Sequence, residues 1–466
     1  MGQDTDNRKS GGAAGDSRIE NKNMEKQAAG DEYSPAGNLN GDNAADGAEY
    51  SYKKFFQDLY RIQKRGLHFE GSTKEEFEAF RPGAVKRLKE LLGWDVLAAA
   101  ELELNGGKPV TPDPVLLEER HADGRILRKM SIRTLPGVRM PFWLLIPDGS
   151  DGETGTAAAG SAAGEAGTAQ LSAPQQRSSR HSGVQSDTVL QGTARPDPAK
   201  LSAHLGNSRF RTMLCLPAHG SNKDVVAGVE TCPEVSAKLK ATPREAYGRE
   251  FCRQGYAAVC PDLSGFGERQ EHTPLEDQGF SKGTIRSNPL GSSCARLSQT
   301  AEALGVSLAG LESYDLKKLL DYIVTLPYID TDRIGCAGFS GGGLNTMWIA
   351  ALDERIRAAV ISGYIHGYYN SILETHLCAC NFVPDLWREA DIPDIASLIA
   401  PRPLFVENGL QDHESGPKGI ADPTEQVGKI RRVYGLFGAE RLVEQAAPEG
   451  PHAWYGTCYD FVSRNL

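Results

Sequence analysis

From Phe210 onward, short apolar runs alternate with stretches whose apolar residues recur every three to four positions. Strands are predicted at Thr212–Pro217, Tyr256–Asp262, Arg333–Phe339, Ile356–Gly363, Pro403–Asn408 and Leu442–Ala446. Between them lie helical patterns. Pro243–Arg253 is one, and Leu316, Leu319, Leu320 and Ile323 line a second, stopped by Pro327. Leu344, Met347, Trp348, Ala351 and Leu352 form one face of a third. Ile430, Val433, Tyr434 and Phe437 line a fourth, opened by a predicted capping box Asp422-Pro423-Thr424-Glu425 and ended by Gly438. Strands alternating with helices in this way predict an α/β fold: a mostly parallel sheet with helices on both faces and its chemistry at the C-terminal ends of the strands.

Upstream the period changes. In residues 125–147, Met130 and Ile132 alternate with Ser131 and Arg133, Leu135-Pro136-Gly137 turns, and Phe142–Ile146 returns, so a β-hairpin is predicted. Phe55, Leu59 and Ile62, then Phe77, Val85, Leu88 and Leu91, predict two amphipathic helices packing on the main domain. Residues 1–47 are polar and rich in Gly, Asn, Asp and Ala, the composition of a disordered tail. From Asp148 to Ser208 there is no aromatic residue, and Ala, Gly, Ser, Thr and Gln dominate. A segment so poor in large apolar groups does not offset its ordering entropy, so 148–208 is expected to be a disordered insertion at a hairpin tip. The expected organisation is a tail (1–47), a helical accessory (48–114) and one large domain (115–466) carrying the insertion.

Composition narrows the classes. Across 466 residues, 61 acidic side chains outnumber 51 basic ones, for a formal charge of −10, which argues against a nucleic-acid partner. No apolar run has membrane-spanning length, so no membrane association is expected. The opening MGQDTDNRKSGGAAGDS lacks the apolar core of a secretory signal, and nine scattered cysteines suggest reduced thiols, so a cytoplasmic location is expected.

The candidate chemistry sits between the third of these helices and the strand before it. Gly338-Phe339-Ser340-Gly341-Gly342 is a G-x-S-x-G at a predicted strand–turn–helix. A nucleophile at the tip of so tight a turn needs glycine two residues to either side, where side chains would collide. The turn also puts Ser340 at a helix N-terminus, where unpaired N–H groups can hold an oxyanion. A serine hydroxyl needs an imidazole to take its proton and a carboxylate to orient that imidazole. In the chain order Ser, acid, His, the candidates are Asp412 in LFVENGLQD and His452 after the last strand. Glu414 and Glu407 are the competing acids; His413, His366 and His376 are the competing bases. The oxyanion donors are expected to be the N–H groups of Gly341 and of Ser221, in Ala218-His219-Gly220-Ser221. His376-Leu377-Cys378-Ala379-Cys380 is spaced closely enough for three metal ligands, but no fourth is evident, so packed thiols and no metal are expected. Gly265-Phe266-Gly267 has no phosphate-loop context.

The stretches LPAHGS, GYAAVCPDLSGFGER, DRIGCAGFSGGG, IAPRPLFVENGLQD and EGPHAW together resemble the α/β-hydrolase superfamily, from about residue 115 onward apart from the insertion. Within it they are most similar to the dienelactone-hydrolase-like and acetylxylan-esterase-like bacterial serine esterases. The resemblance implies an eight-stranded, mostly parallel sheet with its second strand antiparallel. It also implies hydrolysis of small carboxylic esters through an acyl-serine, with no metal or organic cofactor. The family's nucleophile, acid and base fall on Ser340, Asp412 and His452. Ser340 stands where dienelactone hydrolases carry cysteine. Gly265-Phe266-Gly267, Gly341 and His452-Ala453 stand where the acetylxylan-esterase type shows Arg-Gly-Gln, Gly-x-Ser-Gln-Gly and His-Glu. The Ser-Gly-Gly run also resembles prolyl-oligopeptidase-type peptidases, although no blade-length repeat of a propeller domain is visible. A non-catalytic binding protein on the same fold is a further alternative.

Overall fold

A computed structural model describes residues 51–148, 190–206, 208–271, 288–375 and 377–466. The tail 1–47 and most of the insertion lie outside the described residues. By contact density the chain divides into residues 1–61 and 62–466. The described part of the first unit is the start of a helix, Lys53–Ile62, on which Phe55, Phe56 and Leu59 are exposed.

Among the described residues, the second unit is built on a ten-stranded sheet. Its strands are β1 (Val115–Ala122), β2 (Arg125–Leu135), β3 (Val138–Pro147), β4 (Leu190–Ala194), β5 (Phe210–Leu216), β6 (Ala257–Pro261), β7 (Ile329–Phe339), β8 (Ile356–Ser362), β9 (Leu404–Glu407) and β10 (Val443–Ala446). The order is β10-β9-β8-β7-β5-β6-β3-β2-β1-β4. From β6 to β10 every neighbouring pair is parallel; β3 is antiparallel to both β2 and β6. The eight strands from β10 to β2 therefore have the expected arrangement, with the second strand of the eight reversed. The expectation of eight strands is corrected to ten: β1 and β4 extend the antiparallel edge.

That edge also corrects the insertion. Its last part is ordered, as β4 and as the helix Pro198–His204, whose N-cap Asp197 accepts the Lys200 N–H and whose Leu201 is buried. Composition averaged over 61 residues hid a short segment with Leu190, Leu201, Leu205 and a proline-opened helix of its own. β3 ends at Pro147, and β4 lies at the sheet edge beside β1.

Side-chain alternation divides the interior into two layers. On β5, Leu214 and Leu216 join one cluster while Met213 and Cys215 join the other; on β7, Ile334 and Cys336 face opposite Ala337 and Phe339. The helices Lys74–Leu92 and Trp94–Leu104 belong to the same compact unit as the sheet. Trp94 Nε1 donates to Ser313 Oγ at 3.0 Å, and Glu101 accepts from Val110 N–H, Tyr314 and Lys318. The predicted capping box does not form. The helix starts at Ala421 with no side-chain cap, and Asp422 accepts the Gly367 N–H at 2.5 Å instead, tying the helix to the loop after β8.

Gly265-Phe266-Gly267 has a structural cause. Asp262, wholly buried at the end of β6, accepts the N–H groups of Lys223 at 2.9 Å and Glu268 at 3.0 Å. A Cβ on Gly267, at φ +52°, would stand 2.5 Å from both Asp262 carboxylate oxygens. Lys223, also wholly buried, meets Asp262 at 3.0 Å and Glu268 at 2.6 Å. Burial disfavours its ammonium, but three carboxylates outweigh that and raise its pKa. Lys223→Met should lower stability by about 3–5 kcal/mol, because Asp262 is left buried without a counter-charge. Urea unfolding reads this, and a loss below about 1 kcal/mol contradicts it.

Candidate active site

Ser340 caps the helix Gly341–Leu352 with φ 54° and ψ −117°, a backbone that L-residues rarely adopt. The glycine spacing allows it. A Cβ on Gly338 would collide with the Gly342 carbonyl, and one on Gly342 with the Leu216 carbonyl. Ser340 N–H donates to Ser362 O at 2.9 Å, fixing the turn against the end of β8. Asn345 Nδ2 donates to Gly341 O at 3.1 Å and to the buried Glu312 at 2.8 Å, bracing the first helical turn from below. Gly341 opens that helix, so its N–H has no acceptor within it.

Asp412 follows β9 in a turn. Its Oδ1 accepts the Glu414 N–H at 2.9 Å, and its Oδ2 lies 2.9 Å from His452 Nδ1. A carboxylate only accepts, so Nδ1 carries the proton and Nε2 is the basic nitrogen. The Asp412 side chain is 1% exposed and that of His452 13%. The His452 ring packs on Phe339, the residue before Ser340, with ring centres 4.6 Å apart. Glu414 Oε2 approaches Nε2 at 3.4 Å. Burial pulls the His452 pKa down, but the Asp412 hydrogen bond and the charges of Glu414 and Asp412 outweigh it, and the net shift is upward from 6.5. Burial raises the Glu414 carboxyl.

The competing residues have other places. Glu407 is buried and accepts from Ser362 Oγ, Tyr455 N–H, Thr457 N–H and the Thr457 hydroxyl. It thus fastens the segment after His452 to β8 and β9. His366 is wholly buried, and burial pushes its pKa down to about 3. The His413 ring centre lies 5.9 Å from that of His452. His376 lies outside the described residues. Ser221 is a correction: its N–H donates to Ala218 O at 3.2 Å, so the turn itself consumes the donor assigned to the oxyanion. The His219 side of that loop is what meets the elbow. A Cβ on Gly341 would stand 2.8 Å from His219 Cε1 and Nδ1.

The sequence reading missed one grouping. His219, Cys294, Cys378 and Cys380 each bring a ligand atom within 4.8 Å of the others. Cys378 and Cys380 were visible as a pair. Their companions His219 and Cys294 come from two earlier, separate segments, His219 161 residues before Cys380, so no local spacing signals them.

An abhydrolase family model matches residues 205–416, a stretch that holds Ser340 and Asp412 and ends before His452. Over 216 residues the chain is 25% identical to YtaP, a candidate hydrolase of Bacillus subtilis (strain 168). That match covers 43% of this chain and spans 62% of the relative's length. Among solved structures, a candidate acetyl xylan esterase from Bacteroides fragilis NCTC 9343 superposes with a TM-score of 0.58 at 20% identity, over 85% of this chain and 82% of the other. The methylesterase BT1017 superposes with a TM-score of 0.51 at 17% identity, over 90% and 67%. With the strand order, these likenesses establish the α/β-hydrolase fold. No described helix is long and apolar enough to cross a membrane.

Proposed function

We propose that this α/β-hydrolase is a serine hydrolase of small carboxylic esters. The observation that carries the reading is the Asp412–His452 hydrogen bond, 2.9 Å long, on an imidazole packed against the strained elbow of Ser340. In the proposed reaction Ser340 Oγ attacks the ester carbonyl carbon while His452 Nε2 takes the hydroxyl proton. Asp412 holds Nδ1–H and favours the imidazolium that forms. The Gly341 N–H binds the oxyanion, with the second donor coming from the His219–Gly220 backbone. Collapse breaks the bond to the alcohol, which leaves with the proton from Nε2. A water deprotonated by the same nitrogen then releases the acid and restores Ser340.

The esterase names of the structural neighbours favour an ester over other acyl substrates, and acetylated carbohydrates are the first class to try. The proposed partner is a small-molecule ester in the cytoplasm, where thiols stay reduced. A peptidase is the second reading, favoured by the Ser-Gly-Gly run. Acetyl and butyryl p-nitrophenyl esters, acetylated sugars and aminoacyl anilides separate the two. We expect turnover of the esters and acetyl groups and no measurable cleavage of the anilides. Preference for the anilides would replace the esterase reading with the peptidase one, and inertness toward the whole panel would favour a binding protein.

A further inference from the structure

We propose that His219, Cys294, Cys378 and Cys380 bind one zinc ion in a closed site that holds the loop beside the nucleophile. The set is Cys3His, a common tetrahedral zinc donor set. At Zn–S of about 2.3 Å and Zn–N of about 2.0–2.1 Å, a tetrahedron has S···N edges of about 3.6 Å and S···S edges of about 3.8 Å. His219 Nε2 lies 3.4 Å from Cys380 Sγ and 3.6 Å from Cys294 Sγ, and all four ligand atoms fall within 4.8 Å of one another. The two S···N distances match the edges of that shell, and no pair exceeds its S···S edge by more than about 1 Å.

The surroundings favour an ion over packed thiols. Cys215, Cys252, Cys260 and Cys458 sit among apolar side chains in the second core layer and behave as small hydrophobes. Cys294 and Cys380 also border the main core cluster, but each brings its Sγ to His219 Nε2, and Cys378 brings a third sulfur within 4.8 Å of both. Cys294 and Cys380 are 2% and 1% exposed. Asn381 Nδ2 approaches Cys380 Sγ at 3.7 Å, an outer donor of the kind that metal-bound thiolates take. Four protein ligands leave no open position for water, so the site is structural.

Its placement assigns it a role. His219 follows β5, Cys294 opens the helix Cys294–Glu302, and Cys378 and Cys380 lie in the loop after β8. The ion would join three segments far apart in the chain at the C-terminal rim of the sheet. It would also fix the His219 ring, whose Nδ1 edge rests on Gly341.

The test uses the full-length chain, expressed with added zinc and purified without chelator. Elemental analysis should find about one zinc per chain, and cobalt(II) replacing it should give an intense thiolate-to-cobalt charge-transfer band. Cys294→Ser and Cys380→Ser should each lower zinc affinity at least tenfold, while Cys232→Ser, away from the cluster, keeps the metal. If the serine variants fail to fold, the zinc count and cobalt spectrum of the unmodified chain still decide. Zinc well below stoichiometry with no charge-transfer band overturns the proposal. So does a denatured thiol count two short of nine in metal-free protein, which would mean a disulfide. None of these readouts involves ester turnover, so the site stands or falls apart from the esterase reading.

Discussion

Ser340→Ala should lower kcat toward a short-chain p-nitrophenyl ester by about a million-fold, to the level left by binding and oxyanion contacts alone. The fold should survive. Alanine carries no larger strain than serine at φ 54°, and the Ser340 N–H bond to Ser362 O belongs to the backbone. The wild-type and variant Tm should therefore agree within a few degrees, about 1 kcal/mol or less. Loss of activity with an unchanged Tm assigns the hydroxyl to chemistry. A variant within tenfold of wild type would move the nucleophile elsewhere and leave the tight turn as a packing device.

Asp412→Asn should lower kcat by about 10,000-fold with little change in KM, because an amide can hold the imidazole in the wrong tautomer. Glu414→Gln provides the contrast. His452 must be neutral to accept a proton, and its pKa is raised above 6.5, chiefly because the Asp412 bond and the Glu414 charge outweigh burial. Wild-type kcat/KM should accordingly fall as pH drops through a value above 6.5. Removing the Glu414 charge stabilises the imidazolium less, so that acid limb should move to lower pH while kcat at pH 8 stays within about tenfold. The pH profiles of both variants decide the assignment. If Glu414→Gln cost the larger factor in kcat and Asp412→Asn only moved the profile, Glu414 would be the orienting acid.

What the sequence shows of this site follows from locality. The elbow is a local object. Its glycines answer collisions within five residues and with one neighbouring strand, so G-x-S-x-G was readable. Asp412 and His452 were readable from strand order, since each follows a strand whose C-terminal end faces the same rim. Where contacts are tertiary, legibility fails. Asp422 has every local mark of a cap and is used by Gly367 N–H instead. Ser221 is the exception to that rule, since it is a local turn of four residues, Ala218–Ser221, that engages its N–H. The cysteine cluster needs three distant segments to meet before it exists at all. Gly267 looked like an ordinary loop glycine because the carboxylate it makes room for lies five residues upstream and is held by the lysine that opens the helix Lys223–Ala227.

The most direct test of the proposed chemistry is a rapid quench of the enzyme with p-nitrophenyl acetate, followed by intact mass and peptide mapping. A two-step serine mechanism predicts up to one acetyl group per chain, on the peptide containing Ser340, formed as p-nitrophenol is released and lost again as the ester is consumed. An acetyl group found on another residue, or turnover of the ester with no covalent adduct at any time, would contradict it.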